Sequence, residues 1–272
     1  YPLNMLVLRM QSVLNADKAG SCPTQELVDT YDMDNGEMAI TGYSDADHMH
    51  PVINPAAGYN DANPYVHRDP RFYATVWYNN AYYGKVNGAD YYIEAYKGGN
   101  LGISNARQRT HTGYYLRKYK APQDQSNSSG NEAFRFIRLA EVYLNYAEAQ
   151  NEAVGADPEV YKAINTIRRR VGMPDLPGGL KQDEMRVRIH RERRVEMPYE
   201  EIRFYDERRW KVLDQSEKVT TGMAWTKEGN GTLTNERIVV DHRKTWDDKY
   251  LILPIPLSEM NKMPQFEQNP GW

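Results

Sequence analysis

The chain has 272 residues, enough for one large domain or two ordinary ones around a substantial core. Its formal net charge of -3 supplies no global field for nucleic acid or an acidic membrane surface. A single cysteine, Cys22, excludes an internal disulfide framework and any CxxC metal or redox site, and no run approaches the roughly 18 apolar residues of a membrane helix.

Mean hydropathy is -0.80, yet there are 21 tyrosines against 5 phenylalanines and 5 tryptophans. A tyrosine ring packs while its hydroxyl stays wet, so this composition suits polar, loop-rich surfaces or surfaces that stack ligand rings. At the N-terminus, Leu3–Met10 is mildly apolar and Ala19–Cys22 faintly resembles a lipoprotein cleavage box. Asn4 and Arg9 interrupt the apolar part, Asp17 and Lys18 stand where small residues belong, and no basic leader precedes it.

Pro23–Asp29 has the early proline and first-turn acid of a short helix. Asp32–Glu37 reads as a turn, because its glycine falls one place early for a calcium loop and the distal glutamate is missing. Asp45, Asp47, His48 and His50 lack a flanking metal scaffold and read as a polar surface loop. Phe72–Tyr78 is aromatic and β-branched and predicts a strand; Tyr91–Ile93 and Tyr114–Tyr119 predict further short extended segments. Asn79–Gly84 predicts a turn with exposed aromatics, and Gln123–Gly130 a polar linker.

Sustained helical periodicity is confined to Phe134–Val212. Ile137, Ala140, Leu144 and Ala147 share one face, and Leu139, Val142, Tyr143 and Tyr146 widen it enough to predict burial on more than one side. Asp157-Pro158-Glu159 starts a second helix, with Val160, Ala163, Ile164, Ile167 and Val171 as its apolar face and Gly172 and Pro174 as its stop. Together they form a hairpin close to a tetratricopeptide unit in length, and a second hairpin is predicted over Gln182–Val212, broken near Pro198. The basic run Arg186–Arg194 is interleaved with Glu184, Glu192, Glu196, Glu200 and Glu201, which predicts an ion-paired helix surface rather than a nucleic-acid patch. Glu192, Glu196, Arg203, Asp206, Arg209 and Trp210 form the expected structural network between helices. The prolines of Tyr250–Pro256 forbid helix and predict an extended tail docked along the body.

These residues carry a resemblance. Residues 134–149, the series from Glu192-Arg193 to Arg209-Trp210, Pro254-Ile255-Pro256, and Gln268–Trp272 resemble the C-terminal half of SusD/RagB proteins. Arg68–Thr75 and Thr112–Lys118 are similar to the family's middle region. One departure is Glu200-Glu201-Ile202-Arg203, where the family usually has Glu-Gly, and Pro198 replaces a small residue.

The resemblance implies an all-α fold in which tetratricopeptide-like hairpins carry a loop-rich portion with short strands. On that basis residues 1–130 are a Tyr-rich ligand side, 131–214 the helical scaffold, and 215–272 an irregular region docked on it, in one domain whose N-terminal half lies upstream. That half would hold the signal peptide, the lipidated cysteine and further hairpins, which removes the lipobox reading of Cys22. The implied function is capture of glycan at the outer-membrane surface, as a lid on a SusC-like TonB-dependent transporter. Peptide capture, as in the RagB branch, is one alternative, and a helical-repeat scaffold that binds only proteins is another.

The expected ligand contacts are Trp77, Asn80, Tyr82 and Tyr83, then Tyr59, Tyr65 and Trp225, with rings stacking on sugar faces. No cofactor, metal or nucleic acid is expected, and membrane contact only through a lipid anchor. Pairs such as Asp90 and Glu94 or Glu200 and Glu201 do not by themselves make a glycosidase, and no nucleophile elbow, phosphate loop or metal-binding helix motif is present, so no enzyme activity is expected.

Overall fold

The computed structural model describes residues 19–119, 135–216, 218–243 and 247–272. The apolar N-terminal stretch, the linker and Phe134 lie outside them. Helices α1 (Gln25–Thr30), α2 (Pro70–Thr75), α3 (Leu139–Val154), α4 (Pro158–Arg170), α5 (Gln182–Glu196), α6 (Ile202–Arg209), α7 (Leu213–Ser216) and α8 (Leu257–Met260) alternate with four two-stranded antiparallel sheets. The strands pair as β1 (Ile40–Tyr43) with β2 (Pro51–Ile53), β3 (Val76–Trp77) with β6 (Tyr115–Leu116), β4 (Tyr82–Val86) with β5 (Ala89–Tyr92), and β7 (Val219–Lys227) with β8 (Leu233–His242). The fold is therefore helical with several short sheets.

The helical frame follows from caps and stripes. Asp157 accepts from the Val160 amide, Pro158 opens α4, and Val160, Ala163, Ile164 and Ile167 bury one face against α3 and α5. Leu144 and Ala147 of α3 are fully buried, as are Met185 and Ile189 of α5. The widened face of α3 is not: Leu139, Val142 and Tyr146 are exposed, because nothing among the described residues packs on that side. The helix also starts later than the sequence implies, leaving Phe136 and Ile137 outside it and exposed. Between α5 and α6 the chain turns through Tyr199 and Glu201, both with left-handed φ, near 61° and 63°.

The predicted strand Phe72–Tyr78 is instead mostly helix, with only Val76–Trp77 extended. Asp69 caps α2 by accepting from the Arg71 amide and Pro70 presets the first turn, so capping outweighs the β-propensity of the aromatics. The region 215–272 also departs from the irregular expectation, since it opens with the long hairpin β7–β8. This hairpin docks on α1: Glu26 accepts from the amide and hydroxyl of Thr221, and Arg237 pairs with Asp29 at 2.7 Å.

The tail folds on itself rather than along the scaffold. Gln268 bonds the backbone N–H and C=O of Ile255, and Trp272 donates to the carbonyls of Lys249 and Ile252. Ile252, Leu253 and Leu257 remain exposed.

One buried arginine ties the N-terminal part together. Arg68 is 1 % exposed and donates to the carbonyls of Val28 and Tyr31 at the end of α1 and of Pro64, with Tyr59 and Phe72 rings beside its guanidinium. It thereby satisfies orphan carbonyls and places positive charge at a helix C-terminus.

Candidate functional site

Four of the expected ligand contacts are core residues. Tyr65 and Trp225 lie in one aromatic cluster with Tyr31, Phe72 and Tyr114; Trp225 Nε1 donates to the Tyr65 hydroxyl at 3.0 Å, and that hydroxyl donates to Tyr114. Tyr59 is buried beside Arg68 with its hydroxyl donating to Asp61, and Trp77 is enclosed by Ala81, Ile93, Ala95, Leu101 and Tyr115. Rings this enclosed offer no face to a sugar. The large aromatics were drawn inward because they bury the most apolar area, which their residue type alone does not reveal.

The β4–β5 hairpin presents what remains. Its turn, Asn87-Gly88, has φ of 52° and 83°, the left-handed pair that a tight two-residue hairpin needs. A register irregularity between Tyr82 and Gly84 turns neighbouring tyrosines to different environments. Tyr83 is half-buried against Trp77 and Tyr91. Tyr82 faces out, 48 % exposed, and sits opposite Tyr92, 46 % exposed, with ring centroids 5.4 Å apart and planes inclined at 59°.

A carboxylate edges this pair: the Tyr82 hydroxyl donates to Asp90 at 3.1 Å. On the other face of β5, Asn100 Nδ2 donates to the hydroxyl of Tyr91, which packs on Tyr83. Asn80 is exposed with φ of 67°, held by its amide donating to the Ile93 carbonyl. Tyr82 and Asn80 are thus both exposed, and the hairpin adds Tyr92 and Asp90 beside Tyr82, two residues not among the expected contacts. A two-residue turn at Asn87-Gly88 by itself sets Tyr92 opposite Tyr83; the irregularity between Tyr82 and Gly84 moves it opposite Tyr82, and no residue type in the sequence signals that shift.

The scaffold holds a second, different arrangement. Glu196, 5 % exposed, accepts from Arg138 at 2.6 Å, Arg170 at 2.7 Å and Arg71 at 3.0 Å. Glu192 accepts from Arg71 and Arg168. Asp206 pairs with Arg193 and Arg209, and Arg209 and Trp210 Nε1 both reach Glu148. Arg203 pairs with Glu207 one turn on, not with Asp206. Of the basic run, Arg188 and Arg193 are buried in ion pairs rather than arrayed on a surface. Burial alone would raise the Glu196 carboxyl, but Arg138, Arg71 and Arg170 outweigh it and hold it below the usual range.

His190 stacks on Trp210 at 3.5 Å, and burial pushes its imidazole down to about 4. Folding therefore favours the neutral ring, and this contribution is complete above the ordinary pKa of about 6.5 and is lost as pH falls from there towards 4. We expect His190→Phe, which keeps the stacking, to lose about 2 kcal/mol less stability than the wild type between pH 7 and 4.5. Urea midpoints at the two pH values measure this; equal losses would contradict it.

The loop with Asp45 and the three neighbouring candidates folds around one carboxylate. Asp45 accepts from the amides of Asp47, Met49 and His50, while His48 stacks on Tyr43. The Asp32 carboxylate is taken by Arg168, Arg188 and Arg191, and Gly36 closes a turn onto the Met33 carbonyl. Among the described residues no group of three or more His, Cys, Asp or Glu side chains could hold a metal ion, and no helix is long and apolar enough to cross a membrane.

The fold is shared with proteins of known structure. A SusD-like protein from Bacteroides fragilis, of known structure, is 30 % identical and superposes with a TM-score of 0.70 over 92 % of this chain and 47 % of its own. A SusD superfamily protein from Bacteroides vulgatus shares the fold at 21 % identity, with a TM-score of 0.54 over 95 % of this chain and 46 % of its own. SusD-like protein P2 from Formosa agariphila is 32 % identical over 108 residues, 36 % of this chain and 21 % of that protein. The chain thus spans about half the length of the solved relatives, and less of the curated one. The SusD family model matches residues 11–272, and the chain belongs to that family.

Proposed function

We propose that this chain contributes the scaffold and one ligand-reading edge of a cell-surface protein that binds oligosaccharide and delivers it to a SusC-like TonB-dependent transporter, over which it acts as a lid. In this reading the protein is held at the outer membrane by a lipid anchor and performs no catalysis. The observation that carries it, beside family membership, is the exposed Tyr82–Tyr92 pair edged by Asp90, with the exposed Asn80 two residues before Tyr82 in the chain. Inclined rings give apolar faces for the C–H side of a pyranose, and neighbouring carboxylate and amide groups read its hydroxyls.

Tyr82→Ala and Tyr92→Ala are each expected to weaken oligosaccharide binding about tenfold, roughly 1–1.5 kcal/mol, with little change in melting temperature. Glycan-array screening followed by calorimetry on the best neutral ligand tests this. Binding that survives both substitutions would remove the hairpin from the site.

A further inference from the structure

A cavity of about 520 Å³ opens between α2, the end of α4, the end of α5 and the residues Lys118, Tyr119, Arg135 and Arg138, within the size range of small-ligand sites. Its walls carry five basic side chains against two carboxylates, Glu196 and Glu200. Those carboxylates are already shared: Glu196 among three arginines, and Glu200 between Lys118 and Arg138. Arg71 is further balanced by Asp69 and Glu192 behind it.

Positive charge is left over at the open side. Arg135 is exposed and makes no hydrogen bond or ion pair among the described residues. Arg170, 57 % exposed, reaches Glu196 through Nη2 alone, which leaves Nη1 and Nε without partners there. Burial outweighs Glu200 and holds the Lys118 ammonium below its usual range, with Arg138 adding to the effect. Tyr119 supplies a half-buried aromatic wall between these groups.

We propose that this cavity binds an oxyanion carried on a saccharide ring, a carboxylate or a sulfate, with Arg135 and Arg170 pairing with the anion and Tyr119 packing on the ring. Guanidinium forks match the geometry of both oxyanions, and unspent N–H groups beside a ring wall are what an acidic sugar needs. The site is separate from the tyrosine hairpin and does not depend on it.

The test is calorimetry at low salt with trigalacturonate, galactose 6-sulfate, a neutral galactotriose and a short peptide with a free C-terminus. With the hairpin site removed by Tyr82→Ala/Tyr92→Ala, the acidic saccharides should bind, the neutral one should not, and affinity should fall as salt is raised. A preference for trigalacturonate or for the sulfate identifies which oxyanion the site reads. Arg135→Gln should cost about tenfold with an unchanged melting temperature, because its side chain has no partner to lose among the described residues, and Arg135→Lys should recover part of it. Tyr82→Ala should leave this binding unchanged, which separates the two sites. Equal binding of acidic and neutral sugars, no binding of either acidic sugar, binding of the peptide alone, or full affinity in Arg135→Gln would overturn the proposal.

Discussion

Glu196→Ala is expected to cost about 3–5 kcal/mol, a large share of the roughly 5–15 kcal/mol that holds a typical domain together. The carboxylate sits 5 % exposed where α5 ends and receives Arg71 from α2, Arg138 from the start of α3 and Arg170 from the end of α4. Removing it leaves one buried guanidinium, 8 % exposed at Arg71, with less compensation and takes away the point where four helices meet. Glu196→Gln keeps the shape but not the charge, so it should fall between the two. Because the folded carboxyl is held below its ordinary pKa, the contribution is complete above the ordinary carboxylate pKa and is lost as pH falls through the depressed one. Urea denaturation at pH 7 measures the loss, and a change under 1 kcal/mol would show that the pairs break even against solvent.

The second large effect is expected at Gly113. Its φ is 83°, and an added Cβ would collide with the Met223 carbonyl on β7. Thr112 and β7 approach closely there, with the Met223 amide donating to the Thr112 carbonyl at 2.9 Å and Gly222 packed against the Thr112 backbone. Gly113→Ala therefore combines left-handed strain with displaced backbone, together about 2–5 kcal/mol. The long hairpin would move away from α1, so tryptophan fluorescence of Trp225 should shift towards that of an exposed ring as stability drops. Wild-type stability in the variant would mean the two backbones can separate at no cost.

The helical frame was legible because its signals are local. Asp157-Pro158 and the apolar stripe of α4 act within one helix, and the structure keeps them. The stretch 70–75 was misread because an Asp-Pro cap works through a single side-chain bond, while β-propensity sums over several residues that tertiary packing is free to overrule. Glu201 shows a legible departure: the position at which the resemblance implies glycine has φ of 63° here, a conformation glycine adopts without strain.

The candidate site was less legible. Tyr82, Trp77 and Trp225 are all large aromatics with one polar atom, and only long-range packing decides that one faces solvent while two are buried. The ion network was visible as acids spaced along α5, but its partners Arg71, Arg138 and Glu148 come from elements far away in the chain.

In the proposed function the charged scaffold that supports the fold is separate from the tyrosine hairpin that reads neutral ligand. Calorimetric titration of the Tyr82→Ala/Tyr92→Ala double variant with a neutral oligosaccharide that binds the wild type, paired with its melting curve, tests that separation most directly. The predicted result is a loss of affinity of about a hundredfold at unchanged melting temperature. Undiminished affinity, or a loss that merely follows unfolding, would contradict it.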